Sequence, residues 1–179
     1  MANTAIPLSE GKGQDGPQIR KVKLKTSKME RARPFISHEQ KECLASYIKV
    51  GGMEAWTPWD SGSTTTGITP TFAQIANITV DTLLDPHILQ LGTVGSRSSI
   101  KYGADTRVTL AGFDKSLYVD VANFNRYDMI MGTPFMRANK VMLDFGTNEI
   151  VVNGMRTKAK RVISNTDGHL RRQQITNKE

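Results

Sequence analysis

One cysteine, Cys43, stands in 179 residues. A lone thiol forms no internal disulfide, and no cysteine-based zinc cluster can be built around it. Three histidines, His38, His87 and His169, lie far apart in the chain, so the sequence predicts no metal site. It holds no run of 18 apolar residues, and residues 1–16 are polar and glycine-rich with no apolar h-region. These absences argue against a membrane span and a cleaved secretion signal, and a soluble, intracellular protein with no membrane contact is the expectation. Hydrophobic residues make up only 38%, which is low for a globular chain, so part of it is expected not to fold. A second core would need roughly 100 further residues, which leaves one domain.

What the chain does have is an uneven charge, +7 in total. Residues 1–42 hold nine Lys and Arg against five Asp and Glu, residues 43–154 eight against ten, and residues 155–179 seven against two. An apolar, slightly acidic middle therefore lies between two basic flanks. The flanks are rich in Lys, Arg, Gln, Asn and Thr and nearly free of aromatics, too little apolar surface to offset chain entropy. Residues 1–36 and 155–179 read as flexible linkers, and 37–154 as the folded domain. The stretch Arg20–Arg33 admits two readings, a nucleic-acid-binding arm or a solvated tether. The lack of interleaved aromatics to stack bases favours the tether.

Within the middle, Cys43–Val50 and Met53–Trp59 flank Gly51–Gly52, and a type I′ hairpin turn needs positive φ at both central residues, so the pair reads as a hairpin. Ser37-x-x-Gln40 resembles a capping box and offers a rival helix running on to Lys49. Pro58 donates no ladder bond and predicts an edge position. Pro70–Ile78 suits a short helix. His87–Leu91, Ser99–Tyr102, Arg107–Leu110 and Leu117–Val121 read as short strands punctuated by glycines, the pattern of a sandwich or barrel. Tyr127–Met131 reads as a central, doubly covered strand, Pro134–Ala138 as a short helix, and Lys140–Phe145 with Glu149–Val152 as a closing hairpin. His87 reads as a loop histidine, Cys43 as a small core side chain, and Met129, Met131, Met136 and Met142 as packing.

Asp60-Ser61-Gly62 carries the chemistry. An aspartate at a strand end, followed by a hydroxyl and a glycine, presents a carboxylate at a cleft floor, where the glycine amide can hydrogen-bond it. On those three residues alone a plain Asx-turn is the better account of the pattern. The order of further elements adds weight: an apolar strand into Asp60, a glycine-rich hairpin about thirty residues on, then apolar-apolar-Gly and a short helix.

Three segments carry that order: Trp59-Asp60-Ser61-Gly62-Ser63, Leu91-Gly92-Thr93-Val94-Gly95-Ser96, and Asp128-Met129-Ile130-Met131-Gly132-Thr133-Pro134-Phe135-Met136. Together they resemble the retropepsin-like aspartic proteases, in particular those of the Gag-Pol polyproteins of gypsy-type LTR retrotransposons, from Cys43 to about Gly154. The resemblance implies an all-β, retropepsin-like closed barrel with one or two short helices, active as a homodimer and needing no metal or organic cofactor. It implies Asp60 as the catalytic aspartate, Ser61 as the hydroxyl tying the two active-site loops together, and Gly62 as the close-approach position. Gly92, Thr93, Val94, Gly95 and Ser96 resemble the flap tip over the substrate. Ile130, Met131 and Gly132 resemble the apolar segment behind the active-site loop, with Ile130 at the substrate. Trp59 stands where a small or medium aliphatic is usual, and Met131 where leucine is common.

The chain holds one Asp-Ser-Gly triplet, whereas this chemistry takes two carboxylates sharing one proton around a water. A two-fold dimer supplies the second Asp60 without new sequence. Like charges at that distance cannot both ionise cheaply, so the dyad keeps one proton and titrates as a pair. The implied activity is endopeptidase cleavage of a polyprotein at extended apolar segments, in the cytoplasm or in virus-like particles. The rival reading is a non-catalytic retropepsin-like interaction module whose basic arms bind RNA. The Ser63 hydroxyl is expected to donate a hydrogen bond to the ionised Asp60.

Overall fold

The computed structural model describes residues 25–26, 28–90, 97–124 and 126–163. The chain divides into two compact units, Met1–Phe35 with Ile88–Ser99, and Ile36–His87 with Ile100–Glu179. In the first, residues 25–26 and 28–35 form no helix or strand, with Met29 and Phe35 exposed. Its other described residues are the ends of two strands, β4 (Asp81–Gln90) and β5 (Arg97–Leu110). The expected linker 1–36 lies mostly outside the described residues.

The second unit begins with the predicted capping box in miniature. Gln40 N donates to Ser37 Oγ at 3.3 Å and Ser37 N to Gln40 Oε1 at 2.9 Å. The box closes only one 3₁₀ turn, Glu39–Lys41, because the chain then turns extended into β1 (Glu42–Val50). Leu44, Ile48 and Val50 point to the core while Tyr47 and Lys49 stay exposed, the period-two alternation of a half-buried strand. β1 pairs with β2 (Met53–Pro58) in the predicted hairpin, whose turn residues Gly51 and Gly52 have φ of 57° and 85°.

β3 (Gly67–Ile68) leads into α1 (Pro70–Ile75), capped by the Thr69 hydroxyl accepting from Phe72 N at 3.1 Å. β5 does not break at Gly103, as the sequence reading had it. It pairs without interruption with β6 (Phe113–Val121), and the Tyr118 ring on β6 fills the space a Cβ of Gly103 would take. A cross-strand aromatic covering a glycine is a known way to keep such a strand intact. On that face Tyr118 also donates its hydroxyl to Asp120 Oδ1 at 3.1 Å. Burial, with Asp120 and Asp105 nearby, pushes its phenol up to about 12.

The predicted strand Tyr127–Met131 shortens to β7 (Met129–Ile130), paired with β3. α2 (Thr133–Ala138), β8 (Met142–Asp144) and β9 (Glu149–Val152) follow as expected within a residue or two. The folded part does not stop at 154. β10 (Met155–Lys158) pairs with β9, and β11 (Lys160–Ile163) pairs with β1. The basic side chains read as solvated linker instead meet acids: Arg156 and Lys158 reach Glu149 at 3.0 and 2.9 Å, and Arg161 reaches Glu42 at 3.2 Å.

The main sheet runs β11-β1-β5-β6-β3-β7, with β2 on β1 and β4 on β5, and β8–β10 form a second sheet. The fold is mostly β with two short helices, and the sheet is not the closed barrel expected. β7 has only two residues before Gly132 and Pro134 start α2, so on the side of β2 it makes one isolated parallel bridge, Trp59 to Met131, instead of a ladder. Leu44, Ile48, Trp59, Ile68, Phe72, Val108, Val119, Met129, Met131, Phe135 and Ile150 form one core. Met142 does not join it and is 57% exposed, while His87 lies in a strand and not a loop.

Candidate active site

The loop after β2 is fixed from its first residue. Trp59 is 4% exposed, donates its backbone N–H to Leu44 O at 2.9 Å, and its indole N–H to Ser46 Oγ at 2.8 Å. Its ring meets Phe135 edge-on with centroids 6.1 Å apart. The bulky residue is therefore accommodated by a hydroxyl on β1 that takes its one polar atom.

Asp60 N donates to Met131 O at 3.0 Å, and Met131 N to Pro58 O at 3.1 Å. These bonds tie the chain just after β7 to the loop. The Asp60 side chain is exposed. Its Oδ1 accepts the Gly62 N–H at 2.9 Å, the contact expected of an Asp-x-Gly turn, and Ser63 N closes the turn on Asp60 O at 3.1 Å.

The Ser63 hydroxyl does not serve Asp60. It donates to Thr65 O at 2.9 Å and accepts from Thr65 N at 3.1 Å, because a serine two residues before a backbone N–H finds that local partner first. Its role is to shape the loop.

The loop's far side is held by α2 and the residue before it. Gly132 N donates to the Thr66 hydroxyl at 3.1 Å, Thr133 N to Ser63 O at 2.8 Å, and Thr133 Oγ1 to Ser61 O at 3.0 Å. A Cβ on Gly132 would run into the carbonyl oxygens of Thr65 and Ser63, so glycine is needed here for space. The motif pattern marked Gly132, but nothing in it marked Thr66 or Thr133 as its partners. Asp128 is a further member, its Oδ2 accepting Trp56 N at 2.8 Å.

Of the residues singled out, Asp60, Ser61 and Gly62 share this loop, and half-buried Ile130 sits in β7, paired with Gly67 just beyond it. Gly92, Thr93, Val94, Gly95 and Ser96 lie outside the described residues. Cys43 was read as core. It is half-buried, and burial together with the charge of Asp60 pushes its thiol up. Burial, and then Cys43, push the Tyr127 phenol up as well. Cys43 is thus an electrostatic neighbour of the Asp60 loop, and Tyr127 of Cys43. Among the described residues no three His, Cys, Asp or Glu side chains gather as a metal-binding group, and no helix is long and apolar enough to cross a membrane.

No protein-family model and no curated protein matches the sequence. Among solved structures, the retroviral protease-like domain of Ddi1 from Leishmania major is similar at a TM-score of 0.53 and 17% identity, over 66% of this chain and 96% of that one. EIAV protease complexed with the inhibitor HBY-793 aligns at a TM-score of 0.41 and 11% identity, over 57% and 93%. The first likeness shows that this chain has the fold of a retroviral protease-like domain.

Proposed function

We propose that this chain is an aspartic endopeptidase, acting as a two-fold homodimer in which each copy contributes one Asp60. The observation that carries the reading is the Asp60 loop: an exposed carboxylate with one oxygen held by the Gly62 N–H, on a backbone tied at Met131, Gly132 and Thr133. A fixed but accessible carboxylate is what activation of a water requires. In the dimer the ionised Asp60 takes a proton from water while the protonated one polarises the scissile carbonyl. The exposed Ser61 side chain joins the two loops across the dyad axis. The substrate is a polypeptide in extended conformation, with apolar side chains against Ile130. The resemblance to gypsy-type Gag-Pol proteases supports a polyprotein as the natural substrate, and the cytoplasm or virus-like particles are the proposed site of action.

The test is incubation of the full chain with a polypeptide containing extended apolar segments, with and without a statine-type inhibitor, beside an Asp60→Asn variant. The amide keeps the shape and most hydrogen bonds of the carboxylate but cannot act as a base. Cleavage by the parent alone, blocked by inhibitor and absent from the variant, with dimers in sedimentation, supports the reading. Cleavage by the variant above background sinks it. Absence of cleavage by the parent, with salt-dependent RNA binding in its place, turns the choice to a non-catalytic module.

A further inference from the structure

The peptide group between Ser61 and Gly62 is held at both ends. Its carbonyl accepts the Thr133 hydroxyl at 3.0 Å, and its N–H donates to Asp60 Oδ1 at 2.9 Å. Thr133 is located independently, since its own N–H donates to Ser63 O at 2.8 Å and it begins α2, whose Phe135 packs on Trp59. The hydroxyl does not cap that helix: the N-cap residue is Gly132, with no side-chain cap bond. One amide plane therefore connects a side chain on α2 to the carboxylate on the loop.

We propose that Thr133 is a positioning residue for Asp60, acting through the Ser61–Gly62 peptide, an inference that rests on Asp60 being the group that acts on water. Two physical effects run along this path. Donation to the Ser61 carbonyl polarises the amide, so that its N–H becomes a stronger donor to Oδ1, the mutual reinforcement found in hydrogen-bond chains. The same bond stops rotation of the peptide plane, which the glycine at 62 would otherwise permit at little cost. With Oδ1 engaged and the plane fixed, the carboxylate keeps one orientation and turns its second oxygen to the water. Substrate contacts are untouched, so the effect falls on the chemical step.

The test uses full-length protein carrying Thr133→Val, which keeps the branched shape and loses the hydroxyl, and Thr133→Ser, which keeps the hydroxyl. Thr133→Ala is a second deletion should the valine variant fail to fold. The first readout is the Gly62 amide proton in a ¹H–¹⁵N spectrum, which needs no catalysis. It is expected to move upfield in Thr133→Val and to return in Thr133→Ser. The second is peptide cleavage, where kcat is expected to fall about 3- to 10-fold with KM within twofold, as the net worth of one ordinary hydrogen bond allows, and to recover in Thr133→Ser. A Gly62 resonance that stays in place in both deletion variants overturns the proposal, whatever the activity. So does a rise in KM at constant kcat. A Gly62 shift with serine rescue in a protein that cleaves nothing supports the link between Thr133 and Asp60 and overturns the endopeptidase reading instead.

Discussion

Gly132→Ala tests how closely α2 approaches the Asp60 loop. The φ of Gly132 is −101°, open to any residue, so an alanine costs nothing in backbone strain and the whole effect is steric. Its Cβ would lie 2.8 Å from Ser63 O and nearer still to Thr65 O, both backbone atoms, so no side-chain rotation relieves the contact. Either the loop or the start of α2 must retreat. Overpacking of this kind costs about 1–3 kcal/mol. The retreat also lengthens the bonds from Gly132 N to the Thr66 hydroxyl and from Thr133 N to Ser63 O, 3.1 and 2.8 Å in the parent, each worth roughly 0.5–1.5 kcal/mol net. A loss of about 2–6 kcal/mol follows, and at about 4 °C per kcal/mol for a domain of this length the thermal midpoint falls by roughly 8–24 °C. Circular dichroism melts of the parent and Gly132→Ala read this directly. Gly52→Ala is the control, since that position has φ 85° and no neighbour within 4 Å, leaving only a conformational cost of about 1–2 kcal/mol. A Gly132→Ala midpoint within about 2 °C of the parent, or a smaller drop than in the control, would refute the close approach and the loop geometry built on it.

Ser63→Ala is expected to lower the midpoint by an amount matching about 1 kcal/mol and to leave the pH dependence of kcat/KM unchanged, because the hydroxyl is spent on Thr65; a displaced acid limb would show that it reaches Asp60 after all. Asp120 is held above the usual carboxylate range by burial, which outweighs the Tyr118 hydroxyl and the charge of His87. Its folded state therefore binds the proton more tightly than its unfolded state, and the stability this contributes is present at acid pH and lost as pH rises through the raised value. Asp120→Asn should melt higher than the parent at pH 7, the difference closing near about pH 3 where both states are protonated; a lower midpoint at pH 7 contradicts this. A chain ending at Gly154 should melt below one ending at Ile163, because it lacks β10 and the four-residue register of β11 on β1, several bonds at roughly 0.5–1.5 kcal/mol each. Equal midpoints for the two truncations would mean those strands add nothing.

Most of what was legible in the sequence is local. Gly51–Gly52 and the Gly132-Thr133-Pro134 start of α2 announce themselves through turn and helix-start chemistry within a few residues, and α1 through the apolar pattern after Pro70. The Asp60–Gly62 bond is of the same kind. Ser37 and Gln40 show the limit of such signals, for the box forms and the helix it heralds does not. The sequence reading split β5 and overlooked β11, for opposite reasons. β5 runs through Gly103 because Tyr118, on another strand, covers it. β11 was hidden because Lys160 and Arg161 look like linker until Glu42 and the edge of β1 stand beside them.

The sequence by itself determined which groups are available: one Asp-Ser-Gly triplet, the Ile130-Met131-Gly132 segment, and turn residues that dictate where strands reverse. Only the tertiary structure decided what each group touches. Thr133 reaches Ser61 and Gly132 reaches Thr66 across separations of 72 and 66 residues, and Ser63 turns to Thr65 instead of Asp60. The same holds for the sheet, where the residues just after β2 and β7 meet in one isolated bridge, Trp59 to Met131, and no ladder. A turn is settled by a handful of adjacent dihedral angles, and adjacent residues record it. A hydrogen bond between distant segments depends on strand register and core packing, to which residues along the whole domain contribute, so no short motif encodes it.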